Sequence, residues 1–162
     1  MADLTIKILE DITLNGDRTR LTNSKSISGI NNIYRRIVKL PASQTTELAR
    51  FLTSEHTDTG AVALDVEDTR YIRVTNLDTA NTIELVMGIS TDEATDAAAE
   101  ESTTILLDAG KSFMLGTIHD GIGTTVDSDS DDDAANSLVD LVWLKAVCGG
   151  SAVSVEVFIA TL

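Results

Sequence analysis

Arg70-Tyr71-Ile72-Arg73-Val74-Thr75-Asn76-Leu77-Asp78-Thr79-Ala80-Asn81-Thr82-Ile83-Glu84-Leu85-Val86-Met87 alternates apolar and polar residues with period two on either side of a turn. Ile72 and Val74 face one way, with Tyr71, Arg73 and Thr75 opposite. After Leu77 to Asn81, Ile83, Leu85 and Met87 point one way and Thr82, Glu84 and Val86 the other. Leu138 to Leu162 repeats the pattern. Leu138 to Cys148 is apolar on both faces, as a covered central strand should be, and Gly149-Gly150 supplies a turn. Val153, Val155, Val157 and Ile159 then line one face against Ser154 and Glu156. Both stretches read as hairpins of an antiparallel β-protein. Burying the last four apolar residues is worth on the order of 6–10 kcal/mol before entropy is subtracted.

Further strands follow outward from these two. Leu4, Ile6, Ile8, Ile12 and Leu14 share one face of an extended segment, with Asp3, Thr5, Lys7, Asp11 and Thr13 on the other. Asn15-Gly16 is a type I′ hairpin signal, because both residues tolerate positive φ. A polar return strand is expected from Arg18 to Ile27, and another strand from Ile33 to Leu40, ended by Pro41, the single proline. Ser43 to Leu52 fits a helix by the spacing of Leu48, Phe51 and Leu52, and a strand by Thr45 and Thr46. Short strands are expected at Ala61 to Val66, Thr103 to Leu107 and Lys111 to Leu115. Residues 88–102 and 117–137 read as long acidic loops. The sum is an all-β chain: one antiparallel β-sandwich of jelly-roll type over residues 1–162, with long acidic loops. An N-terminal strand or arm, over about residues 1–40, is a candidate docking element.

Composition narrows the function classes. Of 162 residues, 43% are hydrophobic, enough for a packed core. The formal charge is −14, a surface that repels nucleic-acid phosphates and anionic membranes. The charge is uneven: residues 1–50 carry eight Lys or Arg against five Asp or Glu, and residues 51–162 carry four against 21. Acids gathered in solvated loops account for this blandly. The sharper reading is a basic face that docks on an acidic partner, with Arg18, Arg20, Arg35 and Arg36 as the docking candidates. Asp3, Lys7, Glu10 and Asp11 interrupt any leader pattern, and Asp140 and Lys145 break the most apolar region. A protein made in the cytoplasm, with no membrane partner, is therefore expected.

The chain offers little reactive chemistry. The lone Cys148 lies in an apolar run and reads as a buried, inert thiol. His56 and His119 each have acids nearby but read as exposed loop residues. Gly121-Ile122-Gly123 lacks the third glycine and the βαβ setting of a dinucleotide loop. Asp127, Asp129 and Asp131 have the one-three-five spacing of a calcium loop. However, Asp132 stands where glycine is needed and Leu138 where the bidentate Glu should be. They remain weak metal candidates beside the plainer reading of a solvated loop. No cofactor and no enzymatic activity are expected. Trp143, Phe113 and Phe158 read as core, and Tyr34 and Tyr71 as the surface aromatics.

Four segments carry a resemblance: Met1 to Ile8, Tyr71 to Asp78, Ala109 to Leu115 and Val155 to Ala160. They resemble the small virion structural proteins of marine tailed bacteriophages, notably cyanophages. The resemblance covers about half the chain, mainly strands, and fails over the two acidic loops. It implies a virion structural protein without catalytic residues: a capsid decoration or cement protein, or a short head fibre, acting as a homotrimer on the major capsid protein or another virion protein. A tail, neck or baseplate component, or a receptor- or carbohydrate-binding module, is the alternative.

Overall fold

The computed structural model describes residues 2–52, 63–66, 68–89, 101–116 and 141–162. The described residues form strands and turns only. In chain order the strands are β1 (Ala2–Leu14), β2 (Asp17–Ile30), β3 (Asn32–Leu40), β4 (Thr45–Leu52), β5 (Ala63–Asp65), β6 (Thr69–Asn76), β7 (Ile83–Ile89), β8 (Glu101–Leu107), β9 (Ser112–Leu115), β10 (Leu141–Cys148) and β11 (Val153–Thr161). They make a five-stranded sheet in the order β5-β4-β10-β7-β8, a four-stranded sheet in the order β3-β11-β6-β9, and a separate two-stranded ribbon, β1-β2. All pairings are antiparallel except β4 with β5, which run parallel.

The two larger sheets stack because each strand buries one row of side chains. Val153, Val155, Val157 and Ile159 of β11, with Ile72 and Val74 of β6, meet Leu85 of β7 and Leu144 and Ala146 of β10 in a single core. This is a β-sandwich, closed on one side by the face of β11 that the sequence marks as apolar. Ser43 to Leu52 resolves as strand: β4 buries Leu48, Ala49 and Phe51, and a register irregularity opposite Leu144 and Lys145 brings consecutive Leu48 and Ala49 both inside. Helical spacing and a bulged strand coincide over so short a run.

The two stretches read as hairpins are arches instead. β6 and β7 belong to opposite sheets, as do β10 and β11. A strand with one buried face shows period two whether its successor pairs beside it or faces it across the core, so the local pattern is the same in both. Asn76 anchors the β6–β7 arch. Its buried Nδ2 donates to the carbonyls of Asn81 (2.8 Å) and Leu107 (3.1 Å), and its Oδ1 accepts from the Asp78 amide at 3.0 Å. The Asp78 carboxylate in turn accepts from the amides of Ala80 and Asn81, which holds it below its ordinary pKa. At the other end, Ser43 N donates to the carbonyls of Cys148 and Gly149, linking the turn after β3 to the turn after β10. The Cys148 thiol is buried and donates to the Pro41 carbonyl at 3.1 Å.

The true local hairpin is β1-β2. Asn15 and Gly16 have φ of 51° and 90°, the pair of positive values that a type I′ turn requires. Leu14 pairs with Asp17 and the register runs unbroken to Leu4 and Ile27. There an extra residue enters β2 beside Gly29, which has φ of 83°. The ribbon is about 40 Å long.

Residues 88–102 are strand at both ends, since β7 runs to Ile89 and β8 starts at Glu101. The acidic stretch between them lies outside the described residues, as does residues 117–140.

Candidate interaction surface

Alternation that sends Val155, Val157 and Ile159 inward sends Glu156, Phe158 and Ala160 outward. On this outer face of the four-stranded sheet, Phe158 is paired with Arg35 of β3 on one side and Arg73 of β6 on the other. Glu156, one step along β11, lies within reach of both guanidinium groups. Its Oε1 accepts from Arg35 Nε at 2.8 Å and lies 2.6 Å from Arg35 Nη2; its Oε2 accepts from Arg73 Nη2 at 2.6 Å. Arg35 foremost, with Arg73, holds the Glu156 carboxyl below its ordinary pKa against the opposing effect of burial.

The carboxylate is almost covered, so the triad presents mainly its arginines. One carboxylate between two guanidiniums leaves a local charge of about +1. Lys39 extends the same face, opposite Ser154 of β11. Ile33 and Ile37, on either side of Arg35 along β3, are exposed, Ile37 by 66%. Arg73 lies 5.6 Å from the centroid of the Phe158 ring, which meets Tyr71 edge-on at 6.0 Å. Burial raises the Tyr71 pKa, with Arg73 opposing. A basic, apolar and internally braced face therefore stands on a chain whose net charge is −14.

The four arginines expected to dock do not form one patch. Arg35 belongs to the sheet face. Arg36 points the other way along β3 and donates to the Tyr34 hydroxyl at 2.8 Å, while that hydroxyl donates to the Leu48 carbonyl. Arg18 and Arg20 lie near the tip of the ribbon, where Arg18 pairs with Asp11 and holds that carboxyl below its usual pKa. Arg73, Lys39 and Glu156 were not singled out by the sequence. Their outward positions are visible in the alternation, but their adjacency depends on β11 lying between β3 and β6.

The ribbon base covers one end of this face. Leu4, Ile6 and Ile27 pack on Tyr71, Ala160 and Phe158, around buried Ile30. Beside this seat Ile6, Ile8, Asn23, Lys25, Tyr71, Met114 and Gly116 border a cleft of about 230 Å³.

Three aromatic expectations are corrected. Phe158 lies on the outer face, half-buried, instead of in the core between the sheets. Trp143 lies half-buried on the outer face of the five-stranded sheet, against Gly88, where a Cβ would come within 2.2 Å of the indole. The Lys145 ammonium stands 3.9 Å from its ring centroid, so the indole is engaged within its own sheet. Tyr71 is buried under the ribbon base, not a free surface ring. Phe113 does pack against the main core. His56, His119, Asp127, Asp129 and Asp131 lie outside the described residues. Among the described residues no group of three or more His, Cys, Asp or Glu could hold a metal ion. Comparison with protein families, with curated proteins and with solved structures finds no match to this chain.

Proposed function

We propose that this chain is a structural assembly protein that docks on an acidic partner through the outer face of its four-stranded sheet. The observation that carries the reading is the Arg35–Glu156–Arg73 triad beside exposed Ile37 and Lys39. Glu156 fixes both guanidinium groups in place before any partner arrives, so little side-chain entropy is lost on docking. Exposed isoleucines next to fixed cations suit a carboxylate-bearing protein surface, and the acidic remainder disfavours wrong, basic-free contacts elsewhere.

The fold reading that accompanies it is a jelly roll. Setting aside the ribbon and the short edge strand β5 leaves two four-stranded sheets, β3-β11-β6-β9 and β4-β10-β7-β8, joined by arches. That order supports two interleaved Greek keys. Together with the resemblance of the strand segments to marine phage virion proteins, the favoured role is a capsid decoration or cement protein, or a short head fibre, acting as a homotrimer on the virion surface. Only an assembled shell offers a composite site spanning neighbouring subunits, so binding there would stabilise the shell by mass action, with avidity from repeated weak contacts. The role is one of binding, without catalysis or cofactor.

The test is to quantify the chain in purified phage particles and then rebind Arg35→Glu/Arg73→Glu protein to particles stripped of it. The expected result is on the order of hundreds of copies on the head, set by shell symmetry, with rebinding lost in the variant. A few copies at the tail, or none, would replace the capsid role by a tail, neck or baseplate role or by receptor or carbohydrate binding. Undiminished rebinding of the variant would move the docking site off this face.

A further inference from the structure

The distal ribbon, Lys7 to Leu14 and Asp17 to Ser24, extends beyond the seated base. Every residue from Lys7 to Ser24 is exposed. Cross-strand register nevertheless places Ile8, Ile12, Leu14 and Leu21 on the same face as the seated Leu4, Ile6 and Ile27, so the buried stripe continues into open solvent. These four are exposed by 43%, 60%, 65% and 59%. A two-stranded ribbon with a wet apolar face is marginal in water by itself, and it needs a third strand or another packed layer to hold its form. The described residues supply neither beyond the ribbon base.

We infer that the distal ribbon is the contact between copies of this chain, packed apolar face inward. Charge favours a second copy over a foreign partner. Residues 2–30 carry Lys7, Arg18, Arg20 and Lys25 against Asp3, Glu10, Asp11 and Asp17, and so are neutral, while the rest of the chain carries the whole −14. Bodies of like charge repel, and the neutral ribbon is where copies can approach. The opposite face carries the Arg18–Asp11 pair and a single exposed leucine, Leu9, and can remain in water.

The four exposed side chains present roughly 400 Å² of apolar surface, as large as the biggest patch on most monomers. A pair of such faces would bury about 800 Å², the size of a weak, concentration-dependent contact. Glu10, opposite Leu21, and Asp17, opposite Leu14, share the apolar face, and their charges recur in each copy, so they oppose assembly. This inference takes from the proposed function only that copies associate; it supplies the surface, which is separate from the triad face.

Sedimentation of the full chain over a range of concentrations tests it, with circular dichroism confirming that each variant stays folded. The wild type is expected to move from the chain mass to a higher mass as concentration rises. Ile12→Asp/Leu14→Asp is expected to sediment as a folded monomer throughout, Thr13→Asp on the opposite face to associate like the wild type, and Glu10→Gln to associate at several-fold lower concentration. A wild type that stays monomeric throughout, or association that survives Ile12→Asp/Leu14→Asp, would overturn the inference. Particle rebinding by the monomeric variant separates the two ideas: loss of association with docking retained at reduced avidity leaves the triad face standing, whereas an associating chain that cannot dock sinks the docking role alone.

Discussion

Glu156 shows how one side chain takes its meaning from its neighbours. In the sequence it is a carboxylate in an apolar run. In the fold it joins the three strands β3, β11 and β6 through Arg35 and Arg73. Its folded-state pKa lies below the ordinary 4.5, so its contribution is complete above that value and is lost as pH falls through the depressed one. Asp78 acts in the same direction through the amides of its arch. The wild type is therefore expected to lose stability as pH falls from 5 towards 3. Glu156→Gln should cost about 1–3 kcal/mol at pH 7, because two guanidiniums then face each other without an anion. Its loss on acidification should be shallower than that of the wild type, with Asp78 remaining. Urea midpoints for both proteins across that range decide the matter; parallel curves would show that Glu156 does not carry the effect.

At the scale of the element, β11 is the strand on which the sandwich depends. It is hydrogen-bonded to β3 along one edge and to β6 along the other, and its inner row Val153, Val155, Val157 and Ile159 is fully buried. Removing residues 153–162 would leave β3 and β6 without their ladder and open the core to water. The expected outcome is a chain without cooperative unfolding by circular dichroism; a shortened chain that still melts sharply would contradict this account of the core. The ribbon is the opposite case. Ile12 and Leu14 are 60% and 65% exposed and belong to neither buried cluster, so charges placed there should alter association and leave the melting of the body in place. Asn15-Gly16 was readable because a type I′ turn is a local requirement on φ. The arches at Leu77 to Thr82 and at Gly149-Gly150 were not distinguishable from hairpins, because a turn that crosses the core and one that stays in a sheet can use the same residues.

Over the whole molecule, the charge distribution predicts that the two surfaces respond oppositely to salt. Association through the neutral, apolar ribbon works against repulsion between acidic bodies, so screening should strengthen it. Docking of Arg35, Arg73 and Lys39 on an acidic partner gains from attraction, so screening should weaken it. Sedimentation and particle rebinding between low and high sodium chloride should therefore diverge. If both rose or both fell together, one surface would have been assigned the wrong partner chemistry.

The sequence by itself determined an all-β class with Ser43 to Leu52 left open between helix and strand, which face of most strands is buried, where the N-terminal hairpin turns and that Cys148 is an interior thiol. These follow from alternation and turn chemistry, which act over a few residues and need no knowledge of the rest. Only the tertiary structure decided that consecutive strands cross between sheets, that β5 runs parallel to β4, that Trp143 and Phe158 lie on outer faces, and that Arg35 meets Arg73 across Glu156 while Arg36 points away. Those depend on which strands become neighbours, and that choice is made by the packing of the complete core, not by any single segment.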